Sequence, residues 1–115
     1  TYTDASAAVS HHRPIVEQFL LNYTESEIAQ RQNHSLTQVE GYIKDFLRIS
    51  VAHRQGYTVE GIRHLTGLAK GVVAKHLAHY DELAGSPVWK DRLEGKLRFY
   101  EASIDAERAK KGALA

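Results

Sequence analysis

A run of residues in the second half of the chain carries cationic and imidazole side chains but no carboxylate. Between Glu60 and Asp81 lie three Lys or Arg residues and three histidines: Arg63, His64, Lys70, Lys75, His76 and His79. Ammonium and guanidinium groups neutralise phosphate charge, so this composition favours a surface that binds a nucleic-acid backbone. The alternative interpretation is a solvated helix face that binds nothing.

Two of these histidines also have a spacing that suits metal ligation. His76 and His79 are three residues apart, so on a helix they lie about one turn from each other. The spacing of the other histidines and carboxylates offers no third ligand, and we predict neither a metal nor a cofactor. No Ser-His-Asp order, phosphate loop or pair of carboxylates stands out either. We therefore expect no enzymatic activity and no small-molecule substrate.

Composition narrows the class of protein. The chain has 115 residues, of which 43% are hydrophobic and 25% charged, which is typical of one compact domain or two very small ones sharing a core. No apolar run is long enough to span a bilayer, no signal peptide is evident, and the absence of cysteine excludes disulfides and thiolate chemistry. We expect a cytoplasmic, nucleoid-associated protein without a membrane partner. Because the chain lacks methionine and begins at Thr1, we expect a processed chain or a piece of a longer one.

Apolar residues recur at helical spacing along the chain, which predicts an all-α fold. A flexible arm is expected over 1–12, and the first helix opens just after Arg13-Pro14. Thr24 and Glu27 form a predicted capping box for a short helix, and Ser35 caps the next, which has Leu36 among its buried residues. The further helices are predicted over 49–55, after Thr58, over 69–84, and from Ser86-Pro87 to about Lys111.

An internal repeat with a constant offset runs through this pattern. The segment Tyr23-Thr24-x-x-x-Ile28 recurs as Tyr57-Thr58-x-x-x-Ile62, and the same offset relates Asn33 to Gly67 and Val39 to Val73. Each copy combines a short capped helix, a turn that requires a left-handed residue and a longer helix, which is the signature of a helix-turn-helix. We predict a first repeat over 13–49, a second over 50–85 and an amphipathic C-terminal helix over 86–115. Arg63 departs from the pattern, which calls for a small residue there.

The quoted motifs resemble a known family. The pattern Arg31-x-x-His34-Ser35-x-x-x-Val39-x-x-Tyr42-x-x-Asp45-Phe46-x-Arg48, followed by Leu65-Thr66-Gly67-Leu68-x-x-x-Val72-Val73, is similar to the prokaryotic family of domains of unknown function numbered 1670. The resemblance covers about 14–84. It implies a double helix-turn-helix and a role in DNA binding, although the family carries no established biochemical activity.

The residues predicted to contact double-stranded DNA lie on or beside the proposed recognition helices 36–47 and 69–83. They are Ser35, Thr37, Gln38, Lys44, Arg63, His64, Lys70, Gly71, Lys75 and His79. Gln38 is expected to bond adenine and Thr37 to meet a thymine methyl or a phosphate, while Lys70 and Lys75 supply salt-dependent attraction. Gly41 and Gly71 have no evident purpose inside a helix other than close approach to the DNA backbone.

The sequence thus predicts a sequence-specific DNA-binding protein or fragment, with transcriptional regulation as its role. The DNA-binding part of a transposase or another mobile-element protein is one alternative. The last helix supports a different one, a helical adaptor that binds protein. Its apolar stripe begins with Trp89 and Leu93, which we expect to dock on the repeats, and continues with Leu97, Tyr100 and Ile104, which we expect to pair in a homodimer.

Overall fold

The computed structural model describes residues 12–114, and these form six helices with no strand among them, which confirms the predicted all-α class. The helices are α1 (His12–Leu20), α2 (Glu25–Gln32), α3 (Leu36–Arg54), α4 (Val59–Thr66), α5 (Lys70–Ala84) and α6 (Lys90–Leu114). The predicted flexible arm lies outside the described residues except for His12. That residue begins α1 and is only 1% exposed, so the prediction was wrong there.

The predicted caps are present because they depend on residues close together in the chain. Thr24 and Glu27 form a reciprocal capping box at the start of α2, and Ser35 forms one with Gln38 at the start of α3. The Thr58 hydroxyl accepts a hydrogen bond from the Gly61 N–H at the start of α4. Each of these side chains satisfies a backbone N–H that the helix itself leaves unpaired.

The offset that relates Tyr23 to Tyr57 also relates the ends of the helices. Leu20 and Arg54 end α1 and α3, Glu25 and Val59 begin α2 and α4, and Leu36 and Lys70 begin α3 and α5. The residues with a left-handed backbone conformation are related by the same offset. Asn22 (φ 73°) corresponds to Gly56 (φ 93°), and Asn33 (φ 54°) corresponds to Gly67 (φ 73°). The repeat seen in the sequence therefore corresponds to a repeat in backbone conformation.

Helix α3 is continuous from Leu36 to Arg54, so the prediction of separate helices over 36–47 and 49–55 was wrong. No glycine or proline interrupts the chain between Tyr42 and Gln55, and both sides of the helix have apolar residues to bury. Helix α3 contacts each of the other five helices. The predicted boundary between 49 and 50 therefore falls within an unbroken helix that belongs to both repeats.

Two clusters of buried residues lie on either side of α3. The larger cluster includes Ile15, Ile28, Phe46 and Leu83 together with Leu97 of α6. The smaller one contains Ile49, Ala52, Ile62 and Val73, with Val59, Leu68 and Leu77 packed against it. Apart from Ile49 at the boundary, the smaller cluster comes from the second repeat, whereas the larger one draws mainly on the first repeat and α6, so α3 joins the two cores.

Three histidines are buried where α5 meets side chains of α1. His12, His76 and His79 are each 1% exposed, and the His12 ring centroid lies 4.8 Å from that of His76 and 5.2 Å from that of His79. The Phe46 ring of α3 lies 6.1 Å and 5.8 Å from the His76 and His79 rings. His79 Nε2 is 3.0 Å from the Glu17 carboxylate. Within residues 12–114 no three histidine, aspartate or glutamate side chains are arranged to hold a metal ion.

Helix α6 packs on the bundle only as far as about Ile104. It begins at Lys90, after a turn over 87–89, rather than at the predicted proline. Leu93 and Leu97 are buried, and Arg54 of α3 forms an ion pair with Glu94 at 2.7 Å. Every side chain from 105 to 112 is exposed. The part of the helix that follows Ile104 therefore projects from the bundle.

Candidate nucleic-acid interface

The start of α3 presents a polar, exposed surface. Ser35, Thr37, Gln38 and Lys44 are all exposed, as the sequence predicted for a recognition helix. Leu36 was expected to be buried but is 45% exposed, because the first residue of the helix lies beyond the edge of the core. An apolar side chain beside polar ones at a helix start suits contact with a base edge that carries a methyl group.

The capping box limits what Gln38 can offer to a base. Its Oε1 accepts a hydrogen bond from the Ser35 N–H at 3.0 Å and lies 3.3 Å from His34 Nδ1. A carbonyl oxygen has two lone pairs, so this oxygen is already engaged, and bidentate pairing with adenine would require the cap to open. The side chain retains its amide N–H groups as donors. Ser35 similarly accepts from the Gln38 N–H through Oγ and keeps its hydroxyl proton to donate.

The start of α5 is exposed and has no side-chain cap. Lys70 and Gly71 are exposed, and Ala69 at the N-cap position makes no side-chain hydrogen bond. A Cβ atom added at Gly71 or at Gly41 would meet no atom within 4 Å. Neither glycine is therefore required by packing within the described part of the chain.

His79 does not belong to this surface, so its prediction as a DNA contact was wrong. It is buried on α5 together with Val73, His76 and Leu83. Val72, Leu77 and Tyr80 are half-buried. Helix α5 contacts α3, α4 and α6 and also meets side chains of α1, so more than one of its faces is covered.

The residues that precede α5 are less available than the sequence suggested. Arg63 is half-buried, and its Nη1 lies 3.1 Å from Glu60 Oε1 in an ion pair within α4. That carboxylate neutralises the guanidinium locally and reduces what it can contribute to phosphate binding. His64 is exposed, as expected.

The two candidate recognition helices approach each other where Lys75 lies near Tyr42. Lys75 of α5 is half-buried, with its Nζ 5.8 Å from the centre of the Tyr42 ring of α3. Partial burial raises the pKa of Asp45 on α3, while the charges of Arg48, Lys44 and Lys75 act in the opposite direction. The sequence did not identify Tyr42 as part of the surface. Its place four residues before the buried Phe46 predicts a core position, whereas in the structure Tyr42 is half-buried and Lys75 lies near its ring.

The predicted dimer stripe on α6 is largely occupied within the chain. Leu97 is fully buried in the larger cluster, so its assignment to a dimer interface was wrong. Tyr100 and Ile104 are half-buried and line a cavity of about 290 Å³ that also contacts Arg48 and Leu65. The spacing of four and three residues correctly identified an apolar stripe, but the stripe packs against its own bundle.

These features define an all-α protein in which the central helix α3 and helix α5 each have an exposed start. The chain belongs to the family described as Protein of unknown function (DUF1670), whose sequence profile matches residues 1–79. This confirms the resemblance noted from the motifs. No curated protein and no solved structure shows a significant match to the chain. None of the described helices is both long and apolar enough to cross a membrane.

Proposed function

We propose that the two repeats are tandem helix-turn-helix units that bind double-stranded DNA with the exposed first halves of α3 and α5. The observation that carries the proposal is the recurrence, at one constant offset, of a short capped helix, a left-handed turn and a longer helix with an exposed start. In a helix-turn-helix the second helix enters the major groove by its N-terminal part. Both longer helices of this chain have an exposed N-terminal end, which supports this proposal.

The side chains on this surface suit complementary tasks. Lys44, Lys70 and Lys75 supply positive charge for phosphates, and the Ser35 hydroxyl can donate to a phosphate oxygen. Because the Gln38 carbonyl is engaged in the cap, its amide N–H groups are the donors for a purine N7 or a guanine O6. The role of transcriptional regulator and association with the nucleoid follow from this proposal.

The test is binding to a random-sequence duplex over a series of salt concentrations. We expect the logarithm of the affinity to fall linearly with the logarithm of the salt concentration. A Lys70→Ala/Lys75→Ala double variant should bind more weakly, with a slope reduced by about two, because two phosphate contacts are lost. The matched control is Lys110→Ala/Lys111→Ala, which removes the same charge from exposed positions on α6.

Two results would contradict the proposal. Absence of duplex binding at low salt would favour the protein-binding adaptor instead. An equal reduction of the slope in the control variant would mean that overall charge, rather than the α3–α5 surface, attracts the duplex.

The open space at Gly71 gives a second prediction in which stability and binding change in opposite directions. Gly71→Ala should stabilise the free protein by up to about 1 kcal/mol, because alanine loses less conformational freedom than glycine in the first turn of α5 and its Cβ meets no atom of the described residues within 4 Å. The same methyl group should weaken DNA binding if the backbone of α5 approaches a phosphate closely. Urea unfolding and a binding titration on the same variant measure the two effects.

Two other glycines serve as controls for that variant. Gly112→Ala is also helical and open, so it should leave DNA affinity unchanged. Gly67→Ala should destabilise by about 1 kcal/mol, because φ is 73° there and alanine avoids that conformation. Unchanged affinity in Gly71→Ala would remove this glycine from the proposed interface.

A further inference from the structure

An apolar groove runs between α1 and the outer side of α6. It has a volume of about 580 Å³ and is lined in part by Phe19, Leu20, Leu47, Gly95 and Phe99. The Phe99 side chain is 76% exposed, and a Cβ at Gly95 would meet no atom within 4 Å. An exposed aromatic ring one helical turn from a glycine that leaves open space is typical of a surface that binds another molecule.

The exposed residues of α6 and of the turn before it follow a heptad pattern that is separate from the buried stripe. Alternating steps of four and three residues connect Val88, Arg92, Gly95, Phe99, Ala102, Ala106 and Ala109, and every one of these is exposed. Steps of this kind are those of a helix that pairs with another helix. Leu93 and Leu97 face the bundle instead. Apart from Arg92, whose Nη1 donates to the Leu20 carbonyl at 3.5 Å, the outer stripe is available while the inner one is occupied.

We propose that the outer stripe of α6 pairs antiparallel with the same stripe of a second copy of this chain. In this arrangement Phe99 of each copy packs against Ala102 of the other, and Gly95 packs against Ala106. The two bundles then lie on opposite sides of the helix pair, because each packs on the inner stripe of its own α6. This inference does not depend on DNA binding.

Charge complementarity selects the second copy as the occupant and also selects the register. Arg98 and Asp105 flank the stripe on one side, and both are exposed. In the register that pairs Phe99 with Ala102, Arg98 of each copy lies beside Asp105 of the other, which gives two ion pairs by symmetry. On the other flank Lys96 lies beside Ser103. These flanking positions therefore bring no like charges together in this register.

The neighbouring registers bring like charges together. A shift that pairs Phe99 with Gly95 places Arg98 beside Arg98 and Lys96 beside Lys96 across the axis. The opposite shift, which pairs Phe99 with Ala109, places Asp105 beside Asp105 and Lys96 beside Lys110. The favoured register also overlaps the helices over residues 90–111, nearly the whole of Lys90–Leu114, or about 33 Å.

The first experiment is sedimentation of the full chain over a concentration series. We expect a reversible dimer with twice the mass of one chain. Phe99→Ala should raise the dimer dissociation constant about 100-fold, because the ring is lost twice in a twofold interface. Arg98→Asp and Asp105→Arg should each raise it about tenfold, and the double variant should restore the original value. Lys111→Asp is the control, since it makes the same charge change outside the stripe and its flanks.

A disulfide test reads the register directly. The chain has no cysteine, and residues 95 and 106 of one α6 are about 16 Å apart, too far for an intramolecular disulfide. Mild oxidation of a Gly95→Cys/Ala106→Cys variant should therefore give a covalent dimer, whereas Gly95→Cys alone should not. A monomer at every soluble concentration, a dimer unaffected by Phe99→Ala, or failure of the charge swap to restore binding would each overturn the proposal. Circular dichroism should confirm that the variants remain folded, as their exposed positions require.

Discussion

Acidification is expected to remove up to about 4 kcal/mol of folding stability between about pH 7 and about pH 5, because two buried histidines resist protonation. The raised pKa of Glu17, whose carboxylate lies 3.0 Å from His79 Nε2, acts in the opposite direction. Burial lowers the pKa of His76 to about 3, with the charges of His12, Lys75 and His79 acting in the same direction. Burial also lowers the pKa of His79 to about 4, helped by Arg13 and opposed by Glu82. Both rings are 1% exposed in the folded chain.

Folding stability falls on acidification because the unfolded chain binds more protons than the folded chain. An unfolded histidine has a pKa of about 6.5, so below that pH the unfolded chain takes up protons that the folded chain refuses. The stability contribution of both histidines is therefore complete above about pH 6.5 and is lost progressively toward the folded-state values. A loss of about 4 kcal/mol is a large fraction of a typical domain stability of roughly 5–15 kcal/mol.

A His76→Leu variant should lose only about half as much stability over the same interval, since one of the two groups is gone. At pH 7 it should be at least as stable as the parent, because within residues 12–114 neither ring nitrogen of His76 has a hydrogen-bond partner and leucine removes that cost. Urea unfolding at a series of pH values measures both effects. His64→Leu is the control, because that side chain is exposed. Equal pH dependence in parent and His76→Leu would refute this account of the cluster.

Phe46→Ala is expected to cost about 3–5 kcal/mol. The ring is fully buried near the middle of α3, in the larger cluster and beside the rings of His76 and His79. Helix α3 meets five other helices, so the surroundings cannot collapse into the space without moving several of them.

The repeat provides an internal comparison for this variant. Tyr80 occupies the position in the second repeat that corresponds to Phe46 in the first, is half-buried, and lies 5.2 Å from the His53 ring. Tyr80→Ala should therefore cost less than half as much as Phe46→Ala, because part of its ring is already in water. Guanidinium unfolding of both variants measures the difference. Equal costs would mean that α3 is not the centre of the packing.

The features that could be predicted from the sequence are those fixed by neighbours in the chain. Thr24, Ser35 and Thr58 cap helices through hydrogen bonds to residues three positions away, and Asn33 and Gly67 follow helices in the left-handed conformation they tolerate. These signals need no knowledge of the tertiary fold.

The features that sequence analysis missed depend on which helices lie alongside. A histidine side chain can bind phosphate, which is why His79 was predicted to contact DNA. Its burial depends on the contact with α1, whose Glu17 carboxylate lies 3.0 Å from His79 Nε2. Leu97 has the spacing of a coiled-coil residue, but it is buried in the larger cluster of its own chain. Helix spacing indicates that a face is apolar without indicating what covers it.

The unbroken path of α3 has a consequence for the shape of any duplex that both repeats engage. A single helix of 19 residues joins the first repeat to the second, so the angle between the two binding faces is set by the protein. A duplex held by both faces must adopt the curvature that this angle imposes. The energy of that curvature differs between stiff A-tracts and flexible pyrimidine–purine steps, so base pairs that no side chain touches would still influence which site is chosen.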